Sequence, residues 1–366
     1  MTEKERYPLL EIDLKKFEHN ARQVLSRCAA RGIAVTGVIK GFSAYPELAA
    51  AMVRCGTAQL GSSRLRHFKE IKQAGVPGPY LLLRIPMLSE LDQAVELTDY
   101  SLQSDRTTLS ALQEECLRQN RKHKVILMAD LGDLREGFWD KDEMVETCAW
   151  VEEELSMVEL AGVGTNLGCY GAIQPTPGKM RELVDIARRV EARIGRELEI
   201  VSGGATSSYT LVHWGTMPEG INHLRIGEGI SLAYDLPVDW KIKDMDYLYQ
   251  DVFTLKAQVI EVREKPSYPQ GTSFIDAFGN KPAFQDRGIR RRALAAIGRA
   301  ELSEIPKLMP REKGITVLGG SSDHTILDVE DYPGTLRPGD ILEFDLNYTT
   351  QVFLTASPDV TKRVVQ

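Results

Sequence analysis

Cysteine is scarce in this chain and shows no pairing pattern. The five thiols, Cys28, Cys55, Cys116, Cys148 and Cys169, lack disulfide or metal-type spacing, which argues against a disulfide scaffold and leads us to expect a reducing, cytoplasmic setting. Long apolar runs are missing as well. No stretch reaches the roughly 18 residues of a membrane span, and Met1–Arg6 has no apolar leader character, so no membrane partner is expected. A basic surplus is also absent: 45 Lys and Arg stand against 52 Asp and Glu, a formal net charge of -7, and the cluster Arg287–Arg292 is short. That balance argues against nucleic acid as a partner. Low-complexity segments are lacking, and no His-x-Cys pair near the carboxyl end suggests a metal.

What the chain does have is alternation. With 366 residues, 43% of them hydrophobic, it can hold one large domain and a smaller one. From Leu14 to Arg31 the residues Phe17, Ala21, Val24, Leu25 and Cys28 mark one face of a helix. Eight strand-like runs follow: Val35–Ile39, Ala58–Gly61, Tyr80–Arg84, Tyr100–Gln103, Lys124–Asp130, Val158–Thr165, Glu199–Val201 and His223–Ile226. Helix-length segments such as Thr107–Gln119, Asp142–Glu154 and Gly178–Ile194 separate them. The pattern predicts a parallel (β/α)8 TIM-type barrel, with a doubly wound sheet as the alternative. Past Pro237 the runs Phe253–Val262, Ser273–Ala277, Arg292–Ile297, Ile315–Val329 and Ile341–Phe344 alternate between turn signals with no convincing helix. We expect an antiparallel β domain there, with residues 1–240 as barrel, 241–366 as β domain, and the boundary between Pro237 and Asp246.

Lys40 closes the first barrel run, Val35-Thr36-Gly37-Val38-Ile39. An amine at the carboxyl end of a barrel strand sits where ligands bind and can lose enough solvation to attack carbonyls. Other strand ends add to the case. The fifth is followed by Asp130-Leu131-Gly132-Asp133-Leu134-Arg135-Glu136-Gly137, the sixth by Gly164-Thr165-Asn166-Leu167-Gly168-Cys169-Tyr170-Gly171. After the seventh, Ser202-Gly203-Gly204-Ala205-Thr206-Ser207-Ser208 opens a helix, and the eighth ends in Arg225-Ile226-Gly227-Glu228. Loops after strands seven and eight commonly share a phosphate in such barrels. A lysine at the first strand and small-residue turns at the last two suggest a phosphorylated aldehyde cofactor held as an imine.

In order and spacing, Leu9–Leu14, Glu18-His19-Asn20, Val38-Ile39-Lys40 and Asp130–Gly137 resemble the alanine racemase superfamily of pyridoxal-phosphate enzymes, over nearly the whole length. Val38–Phe42, Gly164–Leu167 and Gly319-Gly320-Ser321-Ser322-Asp323-His324 resemble its ornithine racemase branch. The resemblance implies pyridoxal 5'-phosphate on Lys40, which is also one of two proton-transfer bases. It implies Arg135 beside the cofactor's phenolic oxygen and the substrate carboxylate, and Asn166 where the alanine racemases keep a histidine against the pyridine ring. Ser202 and Thr206 match the phosphate turn, which the backbone of Gly227 and Glu228 completes. Arg225 matches the arginine facing the pyridine nitrogen, which a guanidinium would keep unprotonated. A homodimer with shared sites is implied too.

Two departures stand out. Where the superfamily carries a second base, a tyrosine, this chain reads Ile297-Gly298-Arg299-Ala300-Glu301. The opposite-face base is therefore expected in the turn holding Asp323 and His324, or at Cys169 or Tyr170. Met128 stands where many alanine racemases have a carbamylated lysine, and Asp133 is expected to supply that charge to Arg135. For substrate binding we expect Arg135, Asp133, Ser322 and Asp323. A basic side chain such as ornithine's needs a carboxylate partner at the mouth, for which Asp133, Glu228 and Asp323 are the candidates. Alternatives are racemisation of lysine, alanine or serine, and a non-catalytic cofactor carrier.

Overall fold

The computed structural model describes residues 5–366. They form two compact units: Phe17–Leu248, and a second that joins the segment up to Lys16 to Tyr249–Gln366.

The first unit is a closed barrel of β2 (Ala34–Val38), β3 (Gln59–Ser62), β4 (Tyr80–Leu82), β5 (Tyr100–Gln103), β6 (His123–Ala129), β7 (Val158–Thr165), β8 (Ile200–Ser202) and β9 (His223–Ile226). All neighbours pair in parallel, and β9 closes on β2 through Ala34↔His223 to Gly37↔Ile226. These are the eight strands the alternation predicts. Every residue of β3 and β5 is buried, as parallel strands covered on both faces must be.

Two of the long barrel helices begin where a side chain accepts the free amides of the first turn. Asp105 caps Arg106–Gln119 through the Thr108 amide, and Asp140 caps Lys141–Glu154 through those of Asp142 and Glu143. Their inner faces, Leu109, Leu112, Cys116, Met144, Cys148 and Val151, pack with Val125 and Leu127 of β6 in one core. Full burial of each such leucine or valine contributes about 1.5–3 kcal/mol. Strand β7 approaches β8 so closely that a side chain at Gly162 would meet the Ile200 carbonyl oxygen at 1.8 Å.

The second unit holds an eight-stranded sheet of β1 (Leu9–Asp13), β10 (Phe253–Pro266), β11 (Ile289–Ala295), β12 (Met309–Pro310), β13 (Thr316–Gly320), β14 (Thr325–Asp328), β15 (Ile341–Asp345) and β16 (Thr361–Val365). Along its main path the order is β12-β15-β10-β11-β14-β13. It departs from the expected pattern in several ways. β1 belongs to it, antiparallel to β10 and parallel to β16, so the unit gathers both ends of the described chain. The boundary falls after Leu248 rather than near residue 240. Ser273–Ala277 forms no strand. Ile315–Val329 is a hairpin that turns at Ser321–His324. A helix, Tyr348–Ala356, interrupts the strands: Asn347 accepts the Thr350 amide at 3.0 Å, a cap strong enough to start it.

Candidate active site

Lys40 leaves β2 on a single 3-10 turn, Lys40–Phe42. Ile39 and Phe42 on either side of it are buried, and the Phe42 ring meets Phe17 edge-on at 5.6 Å. Ser43 and Ala44 follow at φ 49 and 56. Two consecutive non-glycine residues in the left-handed region cost of order 1–3 kcal/mol each and persist only where the surroundings impose them. Burial holds the Lys40 amine below its ordinary range, and the charges of Arg135 and Arg225 push the same way, while Cys169 and Glu136 oppose them. Its nitrogen is thus nucleophilic nearer neutral pH than a surface lysine's.

Arg135 is delivered by a folded-back loop after β6. Phe138 donates to the Met128 carbonyl at 2.8 Å and Asp130 to that of Phe138 at 3.1 Å. Asp130 Oδ1 accepts the Gly132 and Leu134 amides, and Lys141 Nζ donates to the carbonyls of Asp130, Phe138 and Trp139. Closure requires Gly137 at φ 128, where a Cβ would lie 2.5 Å from the Asp130 nitrogen. Presented this way, Arg135 grips the neighbouring Glu136 carboxylate with Nε and one terminal nitrogen. The other terminal nitrogen donates to Cys169 Sγ at 2.9 Å. The Glu136 pair holds the guanidinium above its already high range.

Asp133 does something else. It is 2% exposed, and its two oxygens accept the amides of Cys169 and Tyr170, each at 3.1 Å. The expectation that Asp133 steers Arg135 is therefore corrected: Glu136 holds the arginine, and Asp133 clamps the loop after β7. Asn166 opens that loop, partly buried, between Thr165, whose hydroxyl donates to the Ala129 carbonyl at 2.9 Å, and buried Leu167.

Arg225 is buried inside the barrel, and no ion pair reaches it among the described residues. One terminal nitrogen donates to Ser202 Oγ, the other to the Thr165 carbonyl at 2.8 Å. Burial pushes this guanidinium down to about 10, so it stays charged at neutral pH. Ser202 in turn pairs with His223 Nδ1 at 2.8 Å, His223 Nε2 with Thr36 Oγ1 at 2.8 Å, and Thr36 with Gln59 Oε1 at 3.0 Å. Ser202 thus faces the barrel interior beneath Arg225 rather than a phosphate turn. Burial holds His223 neutral, down to about 3. His223 escaped the reading of the sequence although its spacing was informative: two residues before Arg225 on one strand, it shares Arg225's face.

Thr206 Oγ1 accepts the Gly229 amide at 3.2 Å, joining the turns after β8 and β9. Between them Gly227 leads into Glu228, which is buried, with Oε1 accepting the Tyr234 and Asp235 amides and Oε2 without a partner among the described residues. Burial, then the charge of Asp235, pushes the Glu228 carboxyl up to about 8.

In the second unit, Ser322 and Asp323 are exposed at the hairpin turn, and His324 Nδ1 pairs with Ser321 Oγ at 3.2 Å. Arg299 and Ala300 donate their amides to the Ser321 and Ser322 carbonyls, so the turn rests on the stretch that lacks the tyrosine. Asp323 makes no ion pair among the described residues.

Residues 12–235 match the family model described as alanine racemase, N-terminal domain. The chain is 42% identical to a lysine racemase of Thermotoga maritima, over 97% of this chain and 98% of that one. It is 38% identical to an ornithine racemase of Acetoanaerobium sticklandii, over 93% and 95%. An alanine racemase from Streptomyces lavendulae shares the fold at a TM-score of 0.72 and 18% identity, covering 100% and 98% of the two chains. A D-threonine aldolase from Filomicrobium marinum does so at 0.73 and 16%, covering 94% and 89%. A parallel barrel with a desolvated lysine ending its first strand and a β-rich second unit, together with near full-length likeness to two racemases, makes this an amino-acid racemase. The chain belongs to the alanine racemase family.

Proposed function

We propose that the protein racemises basic amino acids, ornithine first and lysine beside it, with pyridoxal 5'-phosphate carried on Lys40. The observation that carries this reading is the near full-length likeness to an ornithine and a lysine racemase. Their named substrates differ by one methylene and share a distal ammonium.

The mouth fits a phosphorylated, anionic cofactor. Lys40, Arg135 and Arg225 act on one another electrostatically, and only Glu136 and Cys169 oppose them at Lys40. Clustered positive charge of this kind, with Arg225 fully buried, calls for an anionic ligand. The cofactor would supply electron withdrawal that acidifies the substrate's Cα–H. The chain's own residues do the rest. Lys40 holds the cofactor and carries a proton to or from Cα. Thr206, with the backbone at Gly227 and Glu228, receives the phosphate. Arg225 is fixed by Ser202 and Thr165 and donates toward the ring nitrogen, leaving it unprotonated. Asn166 would lie beside the ring, and Arg135 would receive the substrate carboxylate with the remaining N–H of the terminal nitrogen that also donates to Cys169.

We further propose a homodimer, in which the turn bearing Ser322, Asp323 and His324 covers the mouth of a second copy. Exposed apolar side chains support it on both units: Leu134, Trp139 and Tyr170 (76% exposed) on loops of the barrel, and Phe274 (79% exposed) on the other unit. Asp133 and Glu228 are buried in their own loops, so Asp323 is the acid that meets the distal ammonium. The five free thiols support a reducing, cytoplasmic setting.

The test is chiral chromatography of ornithine, lysine and alanine after incubation with the enzyme and with Asp323→Asn. Losing one charge-assisted hydrogen bond costs about 1.5–3 kcal/mol, so the variant should lose roughly 10- to 150-fold in kcat/KM on the basic substrates and little on alanine. Faster turnover of alanine than of ornithine and lysine by the wild type would contradict the reading.

A further inference from the structure

Inverting a stereocentre requires a proton to leave one face of Cα and another to arrive on the opposite face. Lys40 serves one face. The tyrosine that would serve the other is absent, since Arg299 occupies that stretch and a guanidinium is a poor base.

On the reading proposed above, we infer that Cys169 is the opposite-face proton-transfer group. Lys40 ends the first barrel strand, β2, and Cys169 follows the sixth, β7, so the two enter the mouth from different sides of the barrel. The Cys169 sulfur accepts a hydrogen bond from the Arg135 guanidinium at 2.9 Å. That same arginine is the one assigned to the substrate carboxylate, so the sulfur is held next to the substrate's α-carbon end. Its position is fixed from below: both oxygens of buried Asp133 hold the Cys169 and Tyr170 amides. The competing groups are less suitable. Glu136 is committed to Arg135 through both oxygens, and the Tyr170 side chain is largely in solvent.

The protons balance without an oxidant or reductant. From one enantiomer the thiolate takes the Cα hydrogen, breaking C–H and forming S–H, while the Lys40 ammonium gives a proton to the other face, breaking N–H and forming C–H. From the other enantiomer the same bonds form and break in reverse, with Lys40 as acceptor and the thiol as donor.

Two measurements on the holoenzyme test this. In deuterium oxide, Cys169→Ala should lose Cα exchange from one enantiomer by roughly 100-fold or more, the usual contribution of a positioned base, and retain exchange from the enantiomer that Lys40 deprotonates. His324→Asn should affect both enantiomers alike. Separately, iodoacetamide at neutral pH should label Cys169 faster than the other thiols by peptide mapping, and Arg135→Met should slow that labelling. Wild-type racemisation by Cys169→Ala overturns the assignment, as does a one-enantiomer loss in His324→Asn. A Cys169 that alkylates no faster in wild type than in Arg135→Met also overturns it, and this arm reads the thiol whether or not ornithine and lysine are the substrates. Absence of Cα exchange in the wild type with either one would instead refute the proposed function.

Discussion

Replacing Glu136 by glutamine removes the charge that orients Arg135 while keeping nearly the same shape. The two side chains meet through paired N–H···O contacts, the geometry of strong guanidinium–carboxylate pairs. Solvent screens the pair, however, because the Arg135 side chain is 36% exposed and that of Glu136 16%. Discounting the usual value for a charged hydrogen bond accordingly leaves about 1–2 kcal/mol. If that energy holds Arg135 where it meets the substrate carboxylate, Glu136→Gln should lower kcat/KM roughly 5- to 30-fold. Most of the loss should fall in KM, since the contact is made with the bound ground state as well. The assay is steady-state racemisation followed by chiral chromatography, with thermal unfolding as a control for folding. Asp133→Asn is the informative comparison. It keeps an oxygen for one loop amide but turns an amide donor toward the other, so its effect should appear as loss of stability. A larger fall in KM-dependent efficiency for Asp133→Asn than for Glu136→Gln, at unchanged stability, would refute the assignment of the steering charge to Glu136.

Glu228 makes stability depend on pH. Its carboxyl is raised from 4.5 to about 8, so the contribution is fully present below pH 4.5 and is lost as pH rises toward 8, where ionisation leaves a buried charge with Oε2 unpartnered. Urea midpoints measured from pH 5 to 9 should fall in the wild type and flatten in Glu228→Gln; an equal slope in both would show that another group is responsible. The proposed pairing of copies should appear in sedimentation velocity as a dimer, and Phe274→Asp should weaken it. A fully active monomer would contradict the shared mouth.

The barrel was legible because parallel strands buried on both faces appear as short apolar runs at regular spacing, and all eight did. The positions of Lys40 and Arg225 at or near strand ends were legible, because the period of the fold fixes where each strand stops. Long-range pairing left no such trace. Leu9–Asp13 looks like any apolar strand, and nothing local says that it pairs with Phe253–Lys256 and Thr361–Val365 instead of joining the barrel. The helix Tyr348–Ala356 hid behind threonines and aromatics that also suit strands, and only its Asn347 cap marked the start. The exchange of roles between Asp133 and Glu136 was hidden for another reason. Both lie within three residues of Arg135 in sequence, and the choice is made by the reversal of the chain at Gly137.

Borohydride reduction of the purified protein followed by peptide mapping tests whether Lys40 carries a pyridoxal cofactor in a cationic mouth. One phosphopyridoxyl label per chain is expected, located on Lys40, and none in Lys40→Ala. A label on another lysine, or reduction that leaves Lys40 unmodified in a protein that racemises its substrate, would contradict it.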